Sequence, residues 1–287
     1  MGQLLSAAVL VFLLLGAVWM DRPKELMDRA PRVERPNHGD EFSALSDEAR
    51  LIPKSAPWAG TFSSGSGLTG TNIYILSSGR YCLNEWGDTG WMWSSCGRVR
   101  DQGDRLASES KAAWEASEKD GPTYLKVRWG RRRYLVPVRN VLAFVNAVNS
   151  GSMPGGESVY SYGSFLREGD DALPVEGLPE LPEPYRRFLR AQPVSAKVTE
   201  TGFRKGRLFW VASKVLLPIE TPCRIDVTLD GGSAAGLFVG MELHSRDTEE
   251  RLKATVTSLQ PDSAEARIDY YNCRKRNPHI GEVFATR

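Results

Sequence analysis

From Leu4 to Met20 the chain reads LLSAAVLVFLLLGAVWM, without one charged side chain. A helix through this run would be about 25 Å long, close to the roughly 30 Å hydrocarbon core of a bilayer. A core helix normally keeps one polar face towards solvent, and this run has none. It therefore reads as a membrane-targeting segment, residues 1–20. The preceding MGQ carries no Lys or Arg and no A-x-A-like site follows, which favours an uncleaved anchor over a cleaved signal peptide. MGQLLS also fits the N-myristoylation pattern at Gly2, but the apolar run directly behind it makes that match a coincidence.

The flanking residues pull the orientation two ways. Arg22, Lys24, Arg29, Arg32 and Arg35 follow the apolar run, and by the positive-inside tendency would keep the body in the cytoplasm. Against this stand four cysteines in two local pairs, Cys82 with Cys96 and Cys223 with Cys273. An even number grouped this way suits two disulfides in an oxidising compartment, the alternative being four buried thiols. The balance favours export, with the soluble part periplasmic or extracellular. A net charge of +2 exerts no global pull on nucleic acid or an anionic surface.

Behind the anchor, residues 21–56 are dominated by charges and prolines and read as a flexible tether, in which SALSDEARLI (43–52) can form a short helix. From Trp58 the texture becomes short alternating runs between glycines: residues 57–168 read as a β-rich domain. In TYLKVRWGRRRYLVPV, Leu125, Val127 and Trp129 share one face of a hairpin whose tip is Gly130-Arg131. Val141, Phe144, Val145 and Val148 stand at helical spacing over residues 140–149, with Asn140 available as cap and Gly151 as stop. Spaced prolines make residues 169–193 a stiff connector. Residues 194–287 hold seven short alternating runs, among them VSAKVTETG, CRIDVTL and KATVTSL, the pattern of a small closed barrel. The predicted fold class is mainly β (α+β).

Gly65, Gly67 and Gly70 spell G-x-G-x-x-G in TFSSGSGLTGTNIYIL. A dinucleotide loop needs a following helix whose N-terminus holds the pyrophosphate. The β-branched and aromatic TNIYIL is a strand instead, so these are hairpin glycines and no cofactor is expected. The same segment carries Gly60-Thr61-Phe62, Gly79-Arg80-Tyr81, Trp86, Gly97-Arg98-Val99 and Asp104-Arg105-Leu106. In these turn residues it resembles the small antiparallel barrels of secreted and envelope bacterial proteins, which implies a lipocalin-like or half-barrel sheet. Farther on, Gly232-Ser233, Gly236-Leu237 and Gly240-Met241 within VTLDGGSAAGLFVGMELHS, with a closing IGEVFATR, are similar to barrel domains of a cell-shape scaffold protein and a flagellar assembly protein of the bacterial envelope. In that reading Leu237 and Val239 tuck under the barrel. The whole chain resembles membrane-tethered envelope proteins of Gram-negative bacteria.

Reactive chemistry is sparse. The histidines are His38, His244 and His279, with no C-x-x-C or H-E-x-x-H spacing, so no metal site is expected. A zinc site from Cys223, Cys273 and His244 would have arbitrary spacing, and a Cys273/His279 nucleophile pair lacks any family signature. Asp170-Asp171 reads as a solvated acidic loop. Candidate binding residues are Arg131, Arg132 and Arg133, beside aromatic residues as in single-strand nucleic-acid grips, and Trp86 and Trp91 in WGDTGWMW, as a carbohydrate or partner platform. Solvated hairpin charges and, for Trp91 and Trp93, barrel core are the plainer readings. The functional expectation is a non-enzymatic, membrane-anchored scaffold or binding protein of the envelope that contacts protein or glycan. The alternatives are a hydrolase assembled from scattered residues and a nucleic-acid binder acting through Arg131 to Arg133.

Overall fold

The computed structural model describes residues 39–65, 68–88, 90–109, 123–154, 163–202, 205–206, 223–246, 252–270 and 277–287. The anchor expected over residues 1–20 and the tether as far as residue 38 lie outside them. Among the described residues no helix is long and apolar enough to cross a membrane.

The glycine-punctuated half folds into eight strands: β1 (Gly60–Gly65), β2 (Thr69–Ile75), β3 (Arg80–Gly87), β4 (Gly90–Asp101), β5 (Arg105–Ser108), β6 (Thr123–Trp129), β7 (Arg132–Pro137) and β8 (Phe165–Arg167). Each pairs antiparallel with the next. The last returns to the first through Phe62↔Arg167 and Ser63↔Leu166, which closes the barrel. Alternate side chains point inward: Phe62, Ile73, Ile75, Tyr81, Leu83, Leu106, Tyr124, Leu135 and Phe165 form one buried cluster. Eight strands make an interior wide enough for side chains to fill or for one small ligand, and here the inward side chains pack into one buried cluster.

Where the sequence suggested tether with at most a short helix, residues Gly39–Arg50 form helix α1, folded onto the barrel. Phe42, Leu45 and Ala49 make a stripe that docks over Tyr74, Leu76, Cys82 and Cys96 on the outer wall. The Phe42 and Tyr74 rings meet edge to face at 5.4 Å. Beneath this helix Cys82 and Cys96, directly opposed on β3 and β4, form a disulfide. Of the other expected pair, Cys223 opens a strand of the second half and Cys273 lies outside the described residues.

The second half carries β9 (Ser195–Thr201), β10 (Lys205–Gly206), β11 (Cys223–Leu229), β12 (Glu242–Ser245), β13 (Lys253–Leu259), β14 (Ala264–Tyr270) and β15 (Val283–Ala285). The order β11-β14-β13-β12-β15-β9 closes on itself because β9 also pairs with β11; β10 is appended to β11. The small Ala196, Ala254, Ala264 and Ala266 beside Val198, Val227, Leu229 and Ile268 suit the narrow interior of a small barrel. Between β11 and β12 a 3₁₀ turn at Ser233–Ala235 ends in Gly236 at φ 87°, and Gly240 has φ 88°, backbone that glycine adopts without strain. The turn shifts the inward pattern by one residue. Leu237 and Phe238 are buried, while Val239, expected inside, is 52% exposed.

Helix α2 (Val141–Asn149) grows out of a 3₁₀ turn at Val138–Asn140, so Asn140 enters through turn backbone rather than a side-chain cap. Its apolar stripe does not rest on one sheet alone. Val141, Phe144, Val145 and Val148 share one cluster with Leu125, Val127, Tyr134 and Val136 on the outer wall of the first barrel and with the core of the second. Two buried amides complete the joint. Asn146 Nδ2 donates to Gly240 O (2.9 Å) and Oδ1 accepts from Glu242 N (3.1 Å). Asn149 Nδ2 donates to Phe188 O (3.0 Å) and Oδ1 accepts from Arg190 N (2.9 Å). The proline-rich connector is held along its length: Glu180 N bonds Arg128 O, Trp129 Nε1 donates to Gly177 O, and Arg190 Nε donates to Gly236 O.

Candidate functional site

The site is built on the outer wall of the first barrel, and strand register decides which residues reach it. Residues directly opposed on neighbouring strands share a face. Ser63 opposes Asn72 on β2 and Leu166 on β8, and Leu166 opposes Tyr134 on β7. One step along, Gly70 stands between Gly65 and Trp86. Since Leu166 and Tyr134 belong to the outward set, Arg132, two residues before Tyr134, points the same way. These strands thereby align Trp86, Ser63, Leu166 and Arg132 across one curved face.

That face is concave. A cleft of about 460 Å³ is lined by Ser63, Ser64, Gly65, Trp86, Arg132 and Leu166, by Met153 and Pro154 after α2, and by Arg167, Glu168, Gly169 and Asp171 around the end of β8. A second hollow of about 280 Å³ is lined by Asn72, Trp86, Gly87 and Gly90, so Trp86 belongs to both. A Cβ on Gly70 would lie 2.5 Å from Trp86 Cζ2, and one on Gly65 would lie 2.6 Å from Thr69 O. The indole therefore lies over bare strand backbone, which only glycine allows at this approach. This accounts for two glycines of the G-x-G-x-x-G text: Gly65 and Gly70 pair across a hairpin, and β2 follows rather than a helix. Gly67 lies outside the described residues.

The three neighbouring arginines do separate things. Arg131 is exposed at the β6–β7 turn. Arg132 enters the cleft, its Nε donating to Leu173 O at 2.6 Å and its Nη1 to Met153 Sδ at 3.6 Å. Arg133 is structural: Nε and Nη2 grip the carboxylate of Asp170 at 2.8 and 2.7 Å, and Nη1 donates to Lys54 O at 2.7 Å. Asp170, read from the sequence as a solvated loop acid, is 0% exposed and also accepts the Arg133 backbone N–H at 3.0 Å. Arg167 donates to the carbonyls of Lys54 and Pro53, so two guanidinium groups pin the segment behind α1 beside the cleft. The cluster thus divides into one solvated, one cleft and one clamping arginine instead of a joint basic patch.

Burial pushes the Tyr134 phenol above its ordinary range, with Arg132 opposing. The Tyr74 phenol is likewise raised by burial, against the amide of Asn72, which donates to its oxygen at 3.3 Å. Both hydroxyls are protonated at neutral pH.

Of the sequence candidates, the fold brings Trp86 and Arg132 together, leaves Arg131 at the turn and draws Arg133 inward. The Trp91 and Trp93 side chains lie outside the described residues. Ser63, Asn72 and Glu168 were not named as binding candidates from the sequence, and Asp171 was read only as part of a solvated acidic loop; the register and the β8 return place them here. His244 sits on β12, opposite Lys253 and Ala285. His279 Nδ1 lies 3.2 Å from Glu282 Oε2, and the His279 backbone N–H donates to the same oxygen, a contact within one turn. Neither histidine lines the two hollows, and His38 lies outside the described residues. Among the described residues no group of three or more His, Cys, Asp or Glu side chains is arranged to hold a metal ion. The wall offers an aromatic plane, hydroxyls, an amide, carboxylates and the guanidinium groups of Arg132 and Arg167, groups that hold a ligand by stacking and hydrogen bonds. Compared with protein families, with curated proteins and with solved structures, the chain has no match.

Proposed function

We propose that the chain is a non-enzymatic, membrane-anchored binding or scaffold protein of the bacterial envelope, which contacts protein or glycan through the outer wall of its first barrel. The observation that carries this reading is the cleft joining Trp86 and Arg132 on a barrel whose inside is filled, since it leaves the wall as the place where a ligand is gripped. Three features support it. The uncharged run Leu4–Met20 suits an anchor. The Cys82–Cys96 disulfide suits an oxidising compartment outside the cytoplasm. The glycine turns resemble those of envelope barrels.

The lashing of both barrels to α2 and the connector suits a scaffold, because a load taken on one barrel is passed to the other without a hinge. The test is a pull-down of the full-length chain after crosslinking in living cells. An envelope protein or glycan is expected in the crosslinked material, and is expected to be lost from a Trp86→Ala/Arg132→Ala variant. Recovery of no envelope component overturns the reading.

A further inference from the structure

We propose that the ligand of this wall is an uncharged oligosaccharide of at least two sugar units, laid across Trp86. The inference rests on the binding reading above and names its ligand class.

Trp86 is shared by two hollows of about 460 and 280 Å³. A ligand that fills both must be a chain of units crossing the indole, not a single compact molecule. The groups around it are mixed in sense. Ser63 and Asn72 both donate and accept, Glu168 and Asp171 accept, and Arg132 donates. Sugar hydroxyls likewise donate and accept, so a polyol can satisfy such a set, whereas a polyanion or polycation uses only half of it.

The charges agree. Of the charged residues lining the cleft, Arg132 and Arg167 stand against Glu168 and Asp171, two of each sign. Without a net local field there is nothing to favour an ionic polymer over a neutral one. The indole presents a large, rigid apolar plane, suited to the flat C–H face of a pyranose ring. An extended peptide would bind most readily by adding a strand to an open sheet edge, and at Phe62 and Ser63 that edge of β1 is already taken by β8.

The experiment uses the full chain in lipid nanodiscs. Chitotetraose and maltotetraose serve as neutral probes, a heparin hexasaccharide as the anionic one and tetralysine as the cationic one, read by tryptophan fluorescence and saturation-transfer NMR. At least one neutral tetrasaccharide is expected to bind. Trp86→Ala should weaken it about tenfold or more, the loss expected of a truncated central contact. Trp86→Phe, which keeps an aromatic plane, should lose less, and Asp171→Asn should weaken binding with the urea midpoint unchanged.

The proposal is overturned if neither neutral probe binds, if binding ignores both Trp86 variants, or if a charged probe binds more tightly with a steep salt dependence. Cellular crosslinking that recovers a protein on the same wall while no tetrasaccharide binds removes this inference and leaves the broader one standing.

Discussion

Replacing Asn146 by Ala tests whether α2 truly fastens the two barrels. The side chain is 7% exposed and makes two hydrogen bonds to the second barrel, at 2.9 Å to Gly240 O and 3.1 Å from Glu242 N. Truncation leaves one carbonyl and one amide without their partner in a joint walled by Met241 and Phe238, 0% and 5% exposed. A buried group left unpaired costs about 1–3 kcal/mol. Gly240 admits little water, because a Cβ there would already lie 3.0 Å from Leu142 Cδ1. The expected loss is therefore about 2–4 kcal/mol.

Urea unfolding followed in parallel by tryptophan fluorescence and far-ultraviolet circular dichroism measures it. Seven of the eight tryptophans precede the second barrel, so fluorescence reports mainly on the first half and dichroism on both. The native chain should give coincident transitions. In Asn146→Ala the second barrel should melt earlier, so that the dichroism transition separates from the fluorescence one. A loss below about 0.5 kcal/mol with transitions still superimposed would refute the clasp, since that is the scale of an ordinary surface substitution.

Three further outcomes follow from the same structure. The double variant Cys82→Ala/Cys96→Ala opens a loop of 14 residues' separation and should lose about 3 kcal/mol in a urea or thermal melt; an unchanged melt contradicts it. Asp170→Asn removes the charge that answers Arg133 in a buried fork and should cost roughly 3 kcal/mol, read from the urea midpoint. Lys126 donates to both oxygens of Asp101 at 2.8 and 3.0 Å and holds its carboxyl below the ordinary 3.8. Because the folded value is the lower one, this contribution is present above pH 3.8 and is lost as pH falls through the depressed value. The carboxylate is largely exposed, so roughly 0.5 kcal/mol is at stake. Asp101→Asn should flatten that part of the acid limb of a stability–pH curve.

Much of the barrel architecture is legible along the chain because alternation is a local property. Ala196 and Val198 in β9, Ile225, Val227 and Leu229 in β11, and Ala264, Ala266 and Ile268 in β14 face inward at every second residue. The hairpin tip at Gly130-Arg131 and the α2 stripe are equally local. What escapes is set by partners distant in sequence. The stripe Phe42, Leu45 and Ala49 sits in charged text and becomes a docking face only because Tyr74 and the Cys82–Cys96 pair meet it. Closure of the first barrel rests on β8, three residues long and paired with β1 about a hundred residues away. Trp86 and Arg132 are legible as residue types, but their meeting depends on Gly70 lying opposite Trp86 and Ser63 opposite Leu166. A single residue of slip would turn each to the other face. Val239 fails for a related reason: a 3₁₀ turn interrupts the period and Phe238 takes the inward place.

The proposed role stands or falls with the compartment of the folded body, and paired C-terminal reporter fusions of the full-length chain measure that directly. Export beside the membrane predicts an active alkaline phosphatase fusion, a dark green fluorescent protein fusion and an oxidised Cys82–Cys96 pair. A fluorescent fusion, an inactive phosphatase and free Cys82 and Cys96 thiols would contradict it.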